Sequence, residues 1–277
     1  MMGRTLDAER NLALLAWYGD RKRFLPWRNA PGPYGVLVSE FMLQQTQAAR
    51  VGPYYEQFLA RFPTIEALAE APLADVLEAW SGLGYNSRAM RLREAARQIV
   101  TEGWPSDVVG LQELPGVGPY TAAAIASLAF GMRVPAIDTN LRRVLSRWYG
   151  ESLDGPLLRS AAEAALADDA GAWNQAMMDL GATTCRPRNP RCEECPVEEW
   201  CSGPQAYVSP HPQARFEGSA RQLRGAIVRA VVRGPQSFED LRRGTGFTTE
   251  EIELALDDLE DEGLIVETED GDFIVAD

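Results

Sequence analysis

The sequence predicts an all-α protein of two lobes, followed by a small C-terminal α+β domain with the pattern of a winged helix. Segments such as "TIEALAEAPLADVLEAW" and "TAAAIASLAF" show helical apolar spacing or compact alanine-rich faces through roughly the first 200 residues. Proline and glycine groups such as "APGPYG", "VGPY" and "SGLGYN" separate these segments, with neither a βαβ alternation nor a fixed-period repeat. Near the end, three helical segments precede "LIVETEDGDFIVAD", which predicts two short strands around an Asp-Gly turn.

These patterns divide the chain into predicted domains. We expect a helical barrel over residues 24–136 and a second lobe formed by residues 1–23 and 137–203. Residues 204–218, "PQAYVSPHPQARFEG", are rich in proline and lack periodicity, as is typical of a linker. The winged-helix-like domain follows at residues 219–277.

Composition limits the classes of protein that the chain can belong to. A hydrophobic content of 45% in 277 residues is enough to fill a core. The apolar runs fall short of the roughly 18 residues that a membrane-spanning helix needs. The start, "MMGRTLDAERNLALL", lacks the basic flank, apolar core and cleavage site of a secretory signal. We therefore expect a soluble, intracellular protein with no membrane partner.

The net charge of −13 is unevenly distributed. Residues 219–277 hold fifteen acids and six arginines, a net of −9, which leaves −4 for residues 1–218. Because binding follows the local potential, the body of the protein can still present a basic face to a polyanion. The presumed recognition helix of the winged-helix pattern, "TTEEIELALDDLEDEG", is strongly acidic and would be repelled by phosphate. We expect this domain to pack on the body or to bind a protein partner.

All the cysteines lie close together, with the spacing Cys-x6-Cys-x2-Cys-x5-Cys. Such a local cluster predicts a metal centre and not a disulfide framework. Four thiolates suit either a [4Fe–4S] cluster or structural zinc, and the spacing alone does not choose between them. The predicted ligands are Cys185, Cys192, Cys195 and Cys201.

The stretch "ELPGVGPYTA" at residues 113–122 predicts the turn of a helix–hairpin–helix, with "DVVGLQEL" as the first helix. Gly116 and Gly118 tolerate unusual backbone angles and allow a bulky anion to approach closely. The main-chain N–H groups and the dipole of the following helix can together bind a phosphate without a cationic side chain. The alternative is a plain turn between two helices.

Two carboxylates stand out in helical contexts. Glu40 lies in "YGVLVSEFMLQQTQAARV" on a mostly apolar face, where a carboxyl group is expected to stay protonated near neutrality and could act as a general acid. The alternative for Glu40 is a position at the helix edge, facing solvent. Asp138 follows the apolar "PAI" and precedes a helix, so its context alone favours an N-cap.

Taken together, the motifs resemble those of a known family. "LPWR", "SEFMLQQTQ", "GLGY", "LPGVGPYTA", "AIDTN", "NQAMMDLGATTC" and the cysteine run occur in the order found in helix–hairpin–helix DNA glycosylases with an iron–sulfur cluster. The sequence is most similar to the MutY-type A/G-specific adenine glycosylases over about residues 10–203. The resemblance implies a monomeric base excision repair enzyme that binds double-stranded DNA containing a mismatched or oxidised base pair. It also implies a [4Fe–4S] cluster and a cytoplasmic location at the nucleoid.

The resemblance assigns roles to individual residues. Glu40 would protonate adenine flipped out of the duplex, and Asp138 would stabilise an oxocarbenium-like sugar, with Tyr120 and Asn140 in the same pocket. Tyr85 would act as a wedge in the duplex. The residues that the resemblance places in contact with DNA or beside the flipped base are Arg28, Gln44, Gln45, Thr46, Leu83, Gly84, Tyr85, Gly116, Gly118 and Asp179.

The sequence departs from related patterns at informative places. Tyr120 stands where bifunctional relatives of the endonuclease III type place a Schiff-base lysine, and the sole lysine, Lys22, is far away in sequence. We therefore expect no lysine-dependent strand cleavage. Asn86 replaces a second tyrosine that is common in the MutY pattern, and Thr139 replaces its usual glycine. Only about sixty residues follow the linker, where this family usually carries a domain that recognises 8-oxoguanine.

Two other functions remain open at this stage. A thymine or uracil mismatch glycosylase of the same superfamily would share the hairpin, although "LQQT" favours adenine. A non-catalytic DNA-binding scaffold would need neither Glu40 nor Asp138 in these contexts. We therefore expect a monofunctional adenine glycosylase.

Overall fold

A computed structural model describes residues 2–29, 32–207 and 215–276, and most of them are helical. Part of the predicted linker, residues 208–214, lies outside the described residues. No helix among those described is both long and apolar enough to cross a bilayer. The helices of the body are α1 (Met2–Arg21), α2 (Gly32–Leu43), α3 (Ala48–Arg61), α4 (Ile65–Glu70), α5 (Leu73–Trp80), α6 (Ser87–Glu102), α7 (Val108–Gln112), α8 (Pro119–Phe130), α9 (Thr139–Tyr149), α10 (Gly155–Ala165) and α11 (Ala170–Thr183).

The chain forms two compact units, each built from separated stretches of sequence. The first unit consists of Met1–Val36, Ser106–Glu113 and Val117–Pro212, and the second consists of Leu37–Pro105, Leu114–Gly116 and Gln213–Asp277. The domain boundaries expected from the sequence remain a prediction.

The core of the first unit is formed by apolar residues from α1, α9 and α11. Leu14, Leu141, Trp173 and Met177 are fully buried there. Burying a large apolar side chain contributes about 1.5–3 kcal/mol, so these contacts hold the three helices firmly. The Trp173 indole N–H also donates to Asn11 Oδ1 at 3.0 Å. This packing fixes α9 and α11, which carry several candidate site residues.

In the second unit, aromatic residues of α3 and α5 form much of the core. The Phe58 ring lies tilted against that of Phe62, with centroids 4.9 Å apart and an interplanar angle of 60°, and meets Trp80 edge to face at 6.0 Å. Offset and edge-to-face ring pairs are favoured by the aromatic quadrupole. The stretch of α2 from Val36 to Met42 is buried throughout, which explains its nearly uniform apolar sequence.

The C-terminal residues form the predicted helices and hairpin. The helices are α12 (Ala220–Val231), α13 (Phe238–Thr245) and α14 (Thr249–Asp261), and the strands are β1 (Gln236–Ser237), β2 (Ile265–Glu267) and β3 (Asp272–Val275). The sheet is antiparallel with strand order β1-β3-β2. Gly271 in the turn between β2 and β3 has a φ of +82°, which favours glycine. The sequence did not predict β1, because two residues are too few to show strand periodicity.

Candidate functional site

The helix–hairpin–helix is formed as the sequence predicts. Asp107 caps α7 by accepting a hydrogen bond from the main-chain N–H of Gly110 at 2.8 Å. Gly116 in the turn has a φ of +78°, and a methyl group there would lie 2.9 Å from side-chain atoms of Phe41 and Arg91. Gly118 is the N-cap of α8 and offers no capping side chain, which suits the approach of an external anion. Glycine at 116 is therefore required both by the backbone and by the available space.

Glu40 lies on the buried part of α2. It is 3% exposed, while Leu37 and Phe41 beside it are fully buried. The alternative of a glutamate facing solvent is therefore wrong.

A buried arginine, Arg88, connects the end of α2 with the turn that carries Tyr85. Nη1 donates to the carbonyl oxygens of three residues near the end of α2, at 2.6–3.1 Å. Nη2 donates to the carbonyl of Gly84 at 2.8 Å and to that of Leu83 at 3.3 Å. It also donates to the Thr46 hydroxyl at 3.3 Å. Burial lowers the pKa of Arg88 to about 10, so the side chain remains charged at neutral pH.

The candidate DNA-contacting residues next to Arg88 have unusual backbone conformations. Gln45 and Tyr85 have φ values of +55° and +50°, in the left-handed region that non-glycine residues rarely adopt. Tyr85 is 37% exposed, whereas Leu83 is buried at 6%. The Gln44 side chain donates to the carbonyl of Gly116 at 3.3 Å, which connects this segment to the hairpin turn. Strained backbone of this kind is often found at functional sites.

Asp138 caps α9 and also begins a chain of hydrogen bonds. Its carboxylate accepts from the main-chain N–H of Leu141 and from the Asn140 side chain, both at 2.7 Å. Asn140 Oδ1 accepts from Arg143 Nη2 at 2.7 Å, and Arg143 Nε donates to the carbonyl of Cys185 at 2.7 Å. Burial raises the pKa of Asp138, while these hydrogen bonds and the charge of Arg143 act in the opposite direction. The capping interpretation is thus correct and is compatible with a catalytic role.

Asp179 is fully buried and anchors two arginines. Arg28 contacts both of its carboxylate oxygens at 2.7 Å, and Arg23 contacts them through Nε at 2.5 Å and through its main-chain N–H at 3.0 Å. Burial on its own would raise the pKa of Asp179, but the hydrogen bonds from Arg28 and Arg23 outweigh it and hold the pKa below its usual value. The carboxylate therefore orients Arg28 inside the protein.

Tyr120 lies in the first turn of α8, where the sequence of bifunctional relatives would have lysine. Its hydroxyl is 3.9 Å from Met178 Sδ, and the residue packs against the buried cluster of Ala123, Ala124 and Ala136. Lys22 is exposed just after the end of α1.

The four cysteines surround a cavity of about 130 Å³. Among the described residues, no three potential ligands come close enough to hold a single metal ion. A cluster of several atoms bound by four thiolates would be held by these cysteines, which all line the cavity. Arg147 borders the cavity and donates to Cys185 Sγ at 3.2 Å. Burial raises the pKa of Cys195 to about 12, so binding of a metal centre there must displace a proton.

Comparison with known proteins places these features in a family. Residues 38–163 match the HhH-GPD superfamily of base excision DNA repair proteins, and residues 185–201 match the iron–sulfur binding domain of endonuclease III. An adenine DNA glycosylase of Mycolicibacterium smegmatis is 39% identical over 279 residues, which cover 95% of this chain and 94% of that protein. The chain belongs to the adenine DNA glycosylase family.

Other relatives agree with this family assignment. The adenine DNA glycosylase of Mycobacterium tuberculosis is 41% identical over 94% of this chain and 91% of its own length. The human adenine DNA glycosylase is 45% identical, but the match covers 70% of this chain and 39% of the human protein. Among solved structures, a thermostable thymine-DNA glycosylase matches with a TM-score of 0.68 and 30% identity, covering 73% of this chain and 97% of that one. An endonuclease III–DNA complex has a TM-score of 0.62 at 20% identity, over 72% of this chain and 94% of that one, and shows the shared fold.

Membership of the adenine DNA glycosylase family confirms the predicted fold, enzyme class and cofactor. The match at residues 185–201 decides for the [4Fe–4S] cluster and against structural zinc. The individual catalytic and DNA-contacting residues stay predictions. Sequence reasoning did not identify Arg88, Arg143 or Arg147, because an arginine in an amphipathic helix usually lies at the surface. Nor did it identify Arg23, which lies in the irregular segment after α1 and shows no pattern there.

Proposed function

We propose that this chain is a monofunctional glycosylase that hydrolyses the N-glycosidic bond of adenine paired with G or 8-oxoguanine in duplex DNA. The observation that carries the proposal is the similarity to the adenine DNA glycosylase of Mycolicibacterium smegmatis along nearly the full length of both proteins. The buried Glu40 and the hydrogen-bonded Asp138 support it chemically.

Glu40 is proposed as the general acid. In this role the carboxyl group of Glu40, which is buried in α2, would deliver a proton to a ring nitrogen of the flipped adenine. Protonation turns adenine into a neutral leaving group, which departs with the electron pair of the glycosidic bond. General acid catalysis of this kind contributes about 10²–10⁴-fold to the rate.

Asp138 is proposed to stabilise the cationic sugar that remains. Only the ionised carboxylate can do so; burial raises the pKa of Asp138, and the hydrogen bonds from Asn140 and from the N–H of Leu141 oppose that shift. Water then adds to the anomeric carbon, and the proton that it loses restores the acid form of Glu40, which completes the hydrolysis. Two carboxyl groups with opposite protonation states are typical of glycoside hydrolysis.

The product is proposed to be an intact strand with an abasic site. A Schiff base requires an amine at the sugar, and the chain has Tyr120 at the position where lysine would act. The [4Fe–4S] cluster, when bound, would cross-link the loop formed by Cys185, Cys192, Cys195 and Cys201. Arg143 contacts the main chain of this loop, so the loop helps to orient Asn140 and Asp138.

The DNA substrate, the cellular location and the partner of the C-terminal domain are also proposals. The substrate is double-stranded DNA with a mismatched or oxidised base pair, met at the bacterial nucleoid in the cytoplasm. The acidic surface of α14 disfavours DNA as its partner and suits a protein with a basic surface.

The test is single-turnover base release from duplexes with A opposite 8-oxoguanine, A opposite G, T opposite G and U opposite G. Wild type, Glu40→Gln and Asp138→Asn would be compared, with the exposed Glu56→Gln as the matched control. We expect adenine release that falls at least about 100-fold in the first two variants and is unchanged in the control. Strand breaks should form only after alkali is added.

One observation favours a second candidate function. The solved thymine-DNA glycosylase shares 30% identity and a TM-score of 0.68 with this chain, so thymine or uracil release is the alternative that the same panel detects. Release of thymine without adenine would replace the proposal. Binding without any release would indicate a non-catalytic scaffold.

A further inference from the structure

The Tyr85 turn is held in an energetically unfavourable conformation from inside the protein. Tyr85 has a φ of +50° and Gly84 a φ of +75°. Arg88 binds the carbonyl of Gly84 at 2.8 Å, and its guanidinium carbon lies 5.5 Å from the centroid of the Tyr85 ring. The Trp80 indole N–H donates to the same Gly84 carbonyl at 3.2 Å. These contacts fix the backbone and the inner face of the turn, while the Tyr85 side chain remains 37% exposed.

The outer end of the Tyr85 side chain is contacted by the C-terminal domain. Arg221, in the first turn of α12, donates from Nη1 to the Tyr85 hydroxyl at 3.2 Å. Gly263 also lies near α6, because a methyl group added at Gly263 would be 3.9 Å from Met90 Sδ. Both pairs lie within the second compact unit. The C-terminal domain is therefore placed against the start of α6 at two points.

Two arginines of α12, Arg221 and Arg224, bind different kinds of partner. Arg224 forms ion pairs with Asp258 at 3.2 Å and with Glu262 at 2.6 Å, both on the neighbouring C-terminal segment. Arg221 instead reaches out of the domain to a residue 136 positions earlier in the chain. In an acidic domain, this places a cation beside the side chain that is proposed to enter the duplex.

We propose that Arg221 is a positioning residue that braces Tyr85, so that the C-terminal domain improves recognition of mismatched pairs without reading DNA through its own acidic helix. This inference rests on the proposed wedge role of Tyr85. An aromatic side chain that enters DNA loses rotamer freedom, and a brace that orients it beforehand reduces that loss on binding. The brace acts only where the wedge is used, which is at a distorted pair.

The test is a double-mutant cycle on DNA affinity with Arg221→Gln, Tyr85→Phe and the combined variant. Tyr85→Phe keeps the ring and removes only the hydroxyl that accepts the hydrogen bond. The probe is a duplex with 2′-fluoro-2′-deoxyadenosine opposite 8-oxoguanine, which resists hydrolysis, beside a fully paired duplex of the same sequence. We expect each single variant to weaken binding of the mismatched duplex about two- to tenfold, with the combined variant no weaker than either.

Two control variants separate the brace from general effects. Arg229→Gln removes an exposed positive charge from the same helix and should leave the preference for mismatched over paired DNA unchanged. Arg221→Lys keeps a donor and should restore part of the preference. Equal weakening of both duplexes by Arg221→Gln would show a nonspecific charge effect and overturn the proposal, as would additive effects in the cycle.

A measurement without DNA tests the contact itself. Hydrogen exchange of the amides of residues 83–90 should be faster in Arg221→Gln and Tyr85→Phe than in wild type and Arg229→Gln. Unchanged exchange would overturn the brace. Failure of the proposed function would show separately, as an absence of adenine release by the wild-type protein in the excision assay.

Discussion

Replacing Arg88 by lysine tests whether this side chain holds two loops of the candidate site together. Arg88 is 7% exposed and donates to six main-chain carbonyl groups and one hydroxyl. A lysine ammonium has only three donors, all at one point, so it can satisfy at most three of these seven acceptors. At least four of the seven acceptors would therefore lose the hydrogen bond that Arg88 donates, while remaining buried.

The expected loss of stability follows from these contacts. An unsatisfied buried polar group costs about 1–3 kcal/mol, and some of the carbonyls retain a second partner, so we expect a total of about 3 kcal/mol. For a protein of this size, that corresponds to a fall in Tm of roughly 6–12 °C. Arg88→Met keeps the apolar volume but has no donor, and it should be less stable still.

The assay is thermal unfolding of the holoprotein, followed by single-turnover excision at a temperature where all variants are folded. The matched control is Arg97→Lys on the same helix, because the Arg97 side chain is 45% exposed and should cost less than about 1 kcal/mol. Adenine excision should slow in Arg88→Lys, since Glu40 and Tyr85 lie on the two segments that Arg88 connects. Equal Tm values for the Arg88→Lys and Arg97→Lys variants would refute the reasoning.

Three further predictions concern buried charges and the cluster. Asp179→Asn should destabilise the protein by about 3 kcal/mol at pH 7, because it leaves Arg28 without its buried counter-charge. Since the pKa of Asp179 is lower in the folded state, wild type should exceed Asp179→Asn in free energy of unfolding by the full amount above the unfolded pKa. This difference should disappear as the pH falls through the folded pKa. Denaturant titrations that give the same difference in unfolding free energy at all pH values would contradict the prediction. Asn140→Ala removes a hydrogen bond that Asp138 accepts, so the pKa of Asp138 should rise further. The acid limb of the pH profile of adenine excision should then move to higher pH. An acid limb that does not move would argue against Asp138 as the carboxylate that must be ionised. Cys195→Ser should lower the iron content per chain and the Tm together, as measured by metal analysis and calorimetry; unchanged iron would remove Cys195 from the ligand set.

Sequence patterns predicted those site residues whose role only one or a few residue types can fill. Gly116 was predictable because only glycine easily takes a positive φ in so crowded a turn, and Asp138 was predictable because a carboxylate before a helix accepts N-terminal amides. Arg88 and Arg143 were not predictable, because most of their acceptors are main-chain carbonyls, which every residue has. The contact between Arg221 and Tyr85 joins residues far apart in the chain, so no local pattern could reveal it.

The hairpin around Gly118 shows how an acidic, nearly lysine-free chain can be a DNA-binding protein. The proposed phosphate donors there are main-chain amides at the start of α8, and amides neither titrate nor depend on which side chains surround them. Surface composition can therefore drift toward acids, or from lysine to arginine, while this contact keeps its geometry and its independence of pH. The proposed phosphate contact would depend on backbone shape, so the net charge of −13 does not count against it.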